Sequence, residues 1–288
     1  ANFGPDDIAS PVSASNDADG LSWNVSVSYD FPIGVRPYVT LSEQSTIIAG
    51  QGAEITTPNV ANDNFFDTSE LFEVGIKGSF LDDALYMALS YYEQERTDFN
   101  AQAIVTNATN RTEGIEFEAR WAATDRLLLT LGYSNIEVVN LTALENGGIF
   151  SFFGAEDLPQ IDPTLLFGGA VIGVPPATAE AEARRAGVPE NILSLTGTYL
   201  FDNGLSINAS IVDVDEVFSG FSQAVRLPSY TLVNAGFRYE TDNWALSVNG
   251  KNLTDERYFR ANFPNLFGSQ IVLPELPRHY QASISFRF

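Results

Sequence analysis

Apolar and polar side chains alternate strictly along many short segments of this chain. Between Leu21 and Phe31, every odd-numbered residue is apolar and every even-numbered residue is Ser, Asn or Asp. The same alternation marks residues 115–121, 205–211 and 280–288. A β-strand points successive side chains to opposite faces, whereas a helix does not. The pattern therefore predicts an all-β chain in which each strand has one apolar face and one polar face.

Eleven segments of the chain are predicted to be strands, and most are about ten residues long or longer. They are residues 21–30, 34–43, 70–81, 84–96, 111–122, 126–138, 191–201, 204–214, 229–240, 243–253 and 278–288. A strand of about 9–11 residues, tilted by about 45°, can cross a bilayer, whereas strands of soluble sheets usually have only about 5–6 residues. The strand lengths therefore favour membrane-spanning strands.

The connections between the predicted strands alternate between short and long. The short turns are residues 31–34, 81–84, 123–126, 201–204 and 241–243, and each contains Asp, Asn or Gly. The long connections are residues 44–69, 97–110, 139–190, 215–228 and 254–277. Because the two kinds alternate, all short turns lie at one rim and all long loops at the other. This sorting predicts an antiparallel transmembrane β-barrel with an apolar outside and a polar lumen.

A soluble β-sandwich or propeller is the alternative fold, since its strands also alternate, with their apolar faces turned towards a core. Two features favour the barrel. The polar faces form continuous rows of small polar and charged residues, which suits a wet interior. On the apolar faces, aromatic residues such as Trp23, Trp121 and Tyr239 lie near strand ends, where the belts at the two membrane interfaces would be.

Composition excludes several classes of protein. The chain has 15 Lys and Arg residues against 37 Asp and Glu residues, a formal charge of −22, so it lacks the basic surface that nucleic-acid binding needs. It has no cysteine and a single histidine, His279, which excludes disulfide scaffolds and Cys/His zinc sites. We expect no metal site, no cofactor and no nucleic-acid partner.

Two features of the sequence could in principle belong to an enzyme. Glu116 and Glu118 lie on the same polar strand face, as a pair of catalytic carboxylates would. His279 could serve a Ser-His hydrolase, but no partner for it is identifiable from spacing. The polar wall of a lumen explains the carboxylates more simply. We therefore expect no enzymatic activity.

The last sixty residues resemble the C-terminal end of a TonB-dependent outer-membrane receptor. The similarity lies in residues 230–236 (YTLVNAG), 248–258 (VNGKNLTDERY) and 277–280 (PRHY), followed by the terminal Phe288. Thr254 stands where members of that family commonly have an aromatic residue. Residues 113–118 (EGIEFE) are similar to a recurrent strand from the middle of that barrel.

The resemblance implies a barrel of 22 strands closed around an N-terminal plug domain in the bacterial cell outer membrane. This sequence shows neither the plug nor the TonB box that precedes it, and it supplies about eleven strands. We therefore expect residues 1–288 to be the C-terminal portion of such a barrel, without its plug domain and N-terminal strands. The short turns would be periplasmic and the long loops extracellular.

The function implied by the resemblance is active import of a bulky, scarce ligand. A ferric siderophore-like iron complex is favoured, with an oligosaccharide or cobalamin as alternatives. The implied partners are the TonB-ExbB-ExbD energy-transducing complex, acting through the plug, the barrel assembly machinery, and outer-membrane lipid with lipopolysaccharide. The alternative function is a passive porin-like or structural segment of an outer-membrane barrel.

The long loops contain the candidate ligand-binding residues. These are Phe150, Phe152 and Phe153 in the longest loop and Tyr258, Arg260 and Phe263 in the last loop. Exposed aromatic rings could stack on a sugar or on an aromatic siderophore, or could instead pin the loops against their neighbours. In the longest loop, Pro175, Pro176 and Gly187 also predict a short helix over residues 177–186.

The terminal aromatic residue, Phe288, is a candidate of a different kind. In outer-membrane barrels, a last strand that ends in an aromatic residue resembles the signal recognised by the barrel assembly machinery. We therefore expect Phe288 to serve assembly and not ligand binding.

Overall fold

The part of the chain that the structure describes consists mainly of antiparallel strands. The computed structural model describes residues 13–48, 55, 57–63, 65–99, 107–141, 144–145, 166–167, 170–171, 178–220, 223, 225–261 and 272–287. In chain order its elements are β1 (Trp23–Ser28), β2 (Val35–Ile47), α1 (Thr57–Ala61), β3 (Phe66–Phe80), β4 (Leu85–Phe99), β5 (Asn107–Thr124), β6 (Leu127–Asn140), β7 (Leu144–Glu145), β8 (Leu166–Phe167), β9 (Ala170–Val171), β10 (Thr178–Ala179), β11 (Ala183–Arg184), β12 (Asn191–Leu200), β13 (Leu205–Val214), β14 (Val217–Phe218), β15 (Arg226–Leu227), β16 (Tyr230–Glu240), β17 (Trp244–Lys251), β18 (Phe259–Ala261), β19 (Val272–Pro274) and β20 (His279–Phe286).

The main sheet is a continuous antiparallel meander of eleven long strands. Its order is β1-β2-β3-β4-β5-β6-β12-β13-β16-β17-β20, and the short strand β11 pairs with β6 beside this path. Every long strand coincides with one of the eleven predicted segments. Over the described ranges, the predicted fold class and strand number are therefore confirmed. The sheet has two edges, β1 and β20.

The five predicted turns join neighbouring strands of the sheet at one rim. Two of them depend on a glycine in the left-handed region, Gly34 with a φ of 80° and Gly204 with a φ of 83°. At Gly204, an added Cβ would come within 2.2 Å of the Glu240 carbonyl oxygen, so the neighbouring strand also requires glycine there. The turns therefore hold consecutive strands in register.

The apolar faces of the strands lie open and are not packed in a protein core. Trp23, Ile207 and Ile284 are 40%, 43% and 58% exposed, although they belong to the most apolar rows of the sequence. An apolar face of this extent is unfavourable in water and suits contact with lipid. Of the helices in the described part of the chain, none is long and apolar enough to cross a membrane.

Among the described residues, most of the buried side chains lie at the other rim, where the long connections begin. They include Val138, Val139, Asn140, Ala186, Val214, Ser219, Leu227 and Asn252. The long connections also form four two-stranded ladders, β7 with β10, β8 with β9, β14 with β15, and β18 with β19. This rim is therefore where the chain departs from a simple sheet and where a binding site can be built.

The helix predicted over residues 177–186 is wrong. The chain there forms β10, a turn and β11, and the left-handed Gly187, with a φ of 77°, belongs to a second turn. The reason is pairing with β6: the Glu182 N–H donates to the Asn140 carbonyl at 2.8 Å, and the Arg185 N–H donates to the Val138 carbonyl at 2.7 Å. Backbone groups that a helix would use internally are thus used by the sheet.

Candidate functional site

The last long connection, between β17 and β20, forms a hairpin of its own. We call residues 252–261 and 272–278 the closing hairpin; its arms are β18 and β19, with Arg260 opposite Leu273. It stands at the rim where β17 ends and β20 begins. Two candidate ligand-binding residues, Tyr258 and Arg260, therefore lie together at the base of one compact element.

Asn252 fixes the base of the closing hairpin. Its Nδ2 donates to the carbonyl oxygens of Glu256 at 2.8 Å and Leu276 at 3.3 Å, and its Oδ1 accepts the Glu256 N–H at 2.8 Å. The Asn252 N–H donates to Oδ1 of Asn234, on β16, at 2.9 Å. Asn252 is buried and has a φ of 51°, a conformation that asparagine tolerates better than most residues. Asn252 thus joins the two ends of the hairpin through its side chain and holds them to the sheet through its backbone N–H.

Asp255 holds the chain where it returns to the sheet. Its Oδ1 accepts the N–H of Arg278 at 2.9 Å, and the Arg278 guanidinium donates to the Leu253 carbonyl at 3.3 Å. The Asp255 N–H donates to the Asn252 carbonyl at 2.9 Å, which closes a tight turn. The Asn and Asp of the recognisable segment 252–258 therefore have a structural role, which is to shape the loop base.

Tyr258 and Arg260 are each held by a residue that sequence reasoning missed. The rings of Tyr258 and Tyr230 pack with their centroids 4.6 Å apart, and Nε of Arg260 donates to a carboxylate oxygen of Glu275 at 2.7 Å. The Glu275 N–H also donates to the Tyr258 carbonyl at 3.1 Å. Both partners lie far away along the chain, and no periodicity in the sequence marks these pairings.

The cluster of Tyr230, Tyr258, Arg260 and Glu275 combines an aromatic surface with opposite charges. Burial raises the pKa of the Tyr258 phenol, and the charge of Glu275 raises that pKa further. The phenol therefore stays protonated at neutral pH and can donate a hydrogen bond. The Arg260 side chain is 69% exposed, whereas that of Glu275 is 21% exposed. The cluster can thus offer a ligand a ring face, a hydroxyl donor and an accessible guanidinium.

The connection between β13 and β16 packs beside the closing hairpin. Its strand β15 contacts β18, and on β15 Arg226 forms an ion pair with Glu216 at 2.7 Å and lies 5.3 Å from the Phe218 ring centre. The Phe218 carbonyl accepts the N–H of Gly187, from the longest connection, at 2.8 Å. Three long connections therefore meet at this rim through contacts among described residues.

On the polar face of the sheet, a tyrosine ring packs against a glycine of the neighbouring strand. Tyr38, on β2, lies against Gly75, on β3, where an added Cβ would be 2.6 Å from the ring. The Tyr38 hydroxyl donates to the carboxylate of Glu73, and the Lys77 ammonium lies 5.1 Å from the ring centre. The residues on this face hold one another and form a polar wall, as the alternation predicted.

Two of the three groups considered for catalysis, Glu118 and His279, have structural partners. Glu118 accepts a hydrogen bond from the Arg120 guanidinium, and His279 Nδ1 lies 2.9 Å from the Pro277 carbonyl oxygen. Within the ranges that the structure describes, no group of three or more His, Cys, Asp or Glu side chains is placed to hold a metal ion.

The remaining sequence candidates lie outside the described residues. These are Phe150, Phe152, Phe153, Phe263 and Phe288. Of the six loop residues predicted to bind ligand, the structure therefore places two, Tyr258 and Arg260, and brings them together. Their role in binding stays a prediction.

Comparison with protein families and relatives agrees with this architecture. The family described as "TonB dependent receptor-like, beta-barrel" matches residues 1–253. The "Probable TonB-dependent siderophore receptor PiuA" of Acinetobacter baumannii is 23% identical over 279 residues, which is 93% of this chain and 34% of that protein. The "Ferrioxamine receptor" of Yersinia enterocolitica is 26% identical over 285 residues, which is 93% of this chain and 33% of that protein. The chain thus spans about a third of the length of the curated relatives it matches.

Solved structures show the same fold. The crystal structure of the siderophore receptor PiuA from Acinetobacter baumannii superposes with a TM-score of 0.67 and 19% identity, covering 92% of this chain and 35% of that one. The closed form of the ferric-catecholate import receptor Fiu from E. coli K12 superposes with a TM-score of 0.62 and 17% identity, covering 93% of this chain and 35% of that one. At this identity the likeness concerns the fold.

Proposed function

Because the chain belongs to the TonB-dependent receptor-like β-barrel family, we propose that it is part of a receptor that imports a bulky, scarce ligand by TonB-coupled active transport. The family is one of receptors and transporters and not of enzymes, and the chain is an outer-membrane protein. In this setting the long-loop rim is extracellular and the short-turn rim is periplasmic.

We propose that residues 1–288 form the C-terminal portion of a larger barrel of 22 strands that encloses a plug domain. The support is that the alignments cover 93% of this chain but only about a third of each relative. The eleven-stranded meander with two open edges also suits one part of a closed cylinder. In this proposal the TonB-ExbB-ExbD complex acts through the plug, and the barrel assembly machinery, outer-membrane lipid and lipopolysaccharide are the other partners.

The proposed ligand is a ferric siderophore-like iron complex. Two relatives are named as a siderophore receptor and a ferrioxamine receptor, and the cluster at the base of the closing hairpin carries the proposal in this chain. A chelate of this kind presents rings or planar groups together with polar oxygens. The packed rings of Tyr230 and Tyr258 can stack on such groups, and Arg260 can contact the oxygens. Phe150, Phe152, Phe153 and Phe263 are proposed to complete the mouth of the site.

The test is ligand binding by the full polypeptide as its gene encodes it. Titration with ferrioxamine B, a ferric catecholate, cobalamin and a maltooligosaccharide would identify the ligand class, and we expect an iron complex to bind most tightly. Tyr258→Ala, and Phe152→Ala combined with Phe153→Ala, should each weaken binding about tenfold, or about 1.4 kcal/mol. The matched control is Phe201→Ala, an exposed aromatic residue at the opposite rim, which should leave affinity unchanged.

Three outcomes would contradict the proposal. Unchanged affinity in both loop variants would remove those residues from the site. Preference for cobalamin or the oligosaccharide would overturn the ligand class. Uptake that continues after the proton gradient is collapsed would favour the alternative, a passive porin-like or structural barrel segment.

A further inference from the structure

The outward face of the sheet changes from apolar to polar along a regular line. On β2–β6, β12, β13 and β16, the first polar outward residues above the apolar band are Glu43, Glu70, Glu93, Glu113, Asn135, Asn191, Asp213 and Thr231. Taken two by two along this line, the residues are direct register partners on adjacent strands. Examples are Glu43 with Glu70 and Asn135 with Asn191. We call this line the polar border.

The polar border follows the line along which a plane parallel to the membrane would cross tilted strands. Glu70 is the partner of Glu95, so the border steps two residues towards the short turns to reach Glu93. Equivalent steps follow from Glu113 to Asn135 and from Asn191 to Asp213. The stagger is thus about one residue per strand, and a rise of about 3.3 Å across a spacing of about 4.8 Å gives a tilt of about 35°. The border therefore marks where the hydrocarbon layer ends on the extracellular side.

At β6 and β12 the border carries amides, which are joined in a network. The Tyr133 hydroxyl donates to Oδ1 of Asn191 at 2.7 Å, and Nδ2 of Asn135 donates to the same oxygen at 2.9 Å. Nδ2 of Asn191 donates to an Asp215 carboxylate oxygen at 2.6 Å. We call Tyr133, Asn135, Asn191 and Asp215 the amide ledge.

The amide ledge is continuous with the lipid-facing band. Tyr133 is the register partner of Leu193, and Asn135 is the partner of Ile115; both apolar residues are exposed. An amphiphile whose acyl chains lie along Leu193 and Ile115 would therefore have its headgroup at the ledge. Among the bonds described, the network leaves Oδ1 of Asn135 and one Asp215 oxygen to accept hydrogen bonds from such a headgroup.

The charges around the ledge select against a bare phosphate. The neighbouring border positions on β3, β4 and β5 are glutamates, and Asp215 belongs to the ledge itself. Two cations lie opposite Val139 of β6, above the ledge, and both are already paired. Arg111 pairs with Glu113 at 3.1 Å and Glu182 at 3.2 Å, and Arg184 pairs with Glu190 at 3.2 Å. An uncharged group rich in hydroxyls and amides satisfies the ledge without facing these carboxylates with another negative charge.

We propose that the amide ledge binds the sugar headgroup of a glycolipid in the outer leaflet. Hydroxyls of the sugar donate to the free oxygens of Asn135 and Asp215, and the acyl chains lie on the apolar band below. The proposal uses the outer-membrane location of the chain and is independent of which ligand the receptor imports.

The experiment compares lipid retention in the full polypeptide purified in mild detergent. Native mass spectrometry would count bound molecules of an uncharged diacyl glucoside, phosphatidylcholine and phosphatidylglycerol, each with and without EDTA. We expect the glucoside to be retained best, and Tyr133→Phe and Asn135→Ala to lower its retention at least about threefold. The matched control is Tyr91→Phe. Tyr91 is 36% exposed against 37% for Tyr133. It lies on β4 as a register partner of Ile115, whose partner on β6 is Asn135 of the ledge.

The outcomes separate a lipid site from a structural network. Loss of glucoside in the two ledge variants but not in Tyr91→Phe supports the proposal. If the ledge variants unfold at lower temperature yet retain the glucoside normally, the network is structural only and the proposal is overturned. Preferential retention of phosphatidylglycerol that EDTA abolishes would also overturn it, because a cation-bridged phosphate would then be the occupant.

Discussion

The Asn252 side chain and the Glu256 backbone form a reciprocal pair of hydrogen bonds, with both donor–acceptor distances at 2.8 Å. Asn252→Ala removes both bonds in a buried place and leaves the Glu256 N–H and carbonyl without them. We expect a loss of about 1–3 kcal/mol in unfolding free energy and faster hydrogen exchange in the closing hairpin. Chemical unfolding in detergent and mass-spectrometric exchange measure the two effects.

Asn252→Gly is the control, because glycine adopts the φ of 51° at this position without strain. If the hydrogen bonds matter, the glycine variant is destabilised as well. A glycine variant as stable as the original protein would show that only backbone conformation is important at position 252.

Gly75→Ala tests the contact between Tyr38 and the polar wall. The new Cβ would lie 2.6 Å from the Tyr38 ring, so the ring must move and its bond to Glu73 is strained. We expect a loss of about 1–3 kcal/mol in unfolding free energy. Gly197→Ala is the matched control, because the nearest atom there, Cδ2 of Leu129, lies at 3.3 Å. Equal stability of the two variants would contradict the packing described here.

Glu70→Gln tests repulsion along the polar border. Glu70 is the direct partner of Glu43 on one side and Glu95 on the other, and like charges directly opposite destabilise a sheet. We expect a higher melting temperature at low salt and a smaller gain at high salt, since the charges are screened. Glu240→Gln should act in the opposite direction, because Arg238 and Arg287 contact that carboxylate at 3.0 and 2.7 Å. A rise in both variants would refute this account.

Deletion of Phe288 tests the assembly role that we propose for this residue. We expect less folded protein in the outer membrane, measured by surface labelling, with unchanged ligand affinity in the molecules that do assemble. Phe288→Trp preserves an aromatic ring at this position and should give normal levels. Normal surface levels after deletion would remove the assembly role.

The long strands could be predicted from sequence because contact with lipid imposes alternation residue by residue. For β13 the predicted segment 204–214 and the observed Leu205–Val214 agree closely. The prediction is weaker beyond the polar border, where both faces are polar. There β3 begins at Phe66 and β5 at Asn107, each four residues before its predicted start at 70 and 111. Backbone pairing continues in these extensions, but the sequence there no longer alternates between apolar and polar residues.

The candidate site was less predictable because its contacts join distant parts of the chain. The segment 252–258 could be recognised, yet its dependence on Asn234 and Leu276 could not. The helix expected over residues 177–186 failed for the same reason, since local proline and glycine signals were overridden by pairing with β6. Loop geometry thus depends on partners that no local pattern specifies.

The two edges of the main sheet point the same way. β1 and β20 are the first and eleventh strands of an antiparallel meander, so each runs towards the short-turn rim. A ladder joining them directly would be parallel, unlike every other neighbouring pair in the described sheet. Closing the cylinder with antiparallel pairs alone takes an odd number of intervening strands, whichever polypeptide supplies them. A barrel closed in this way therefore has an even number of strands, whatever the diameter of the barrel.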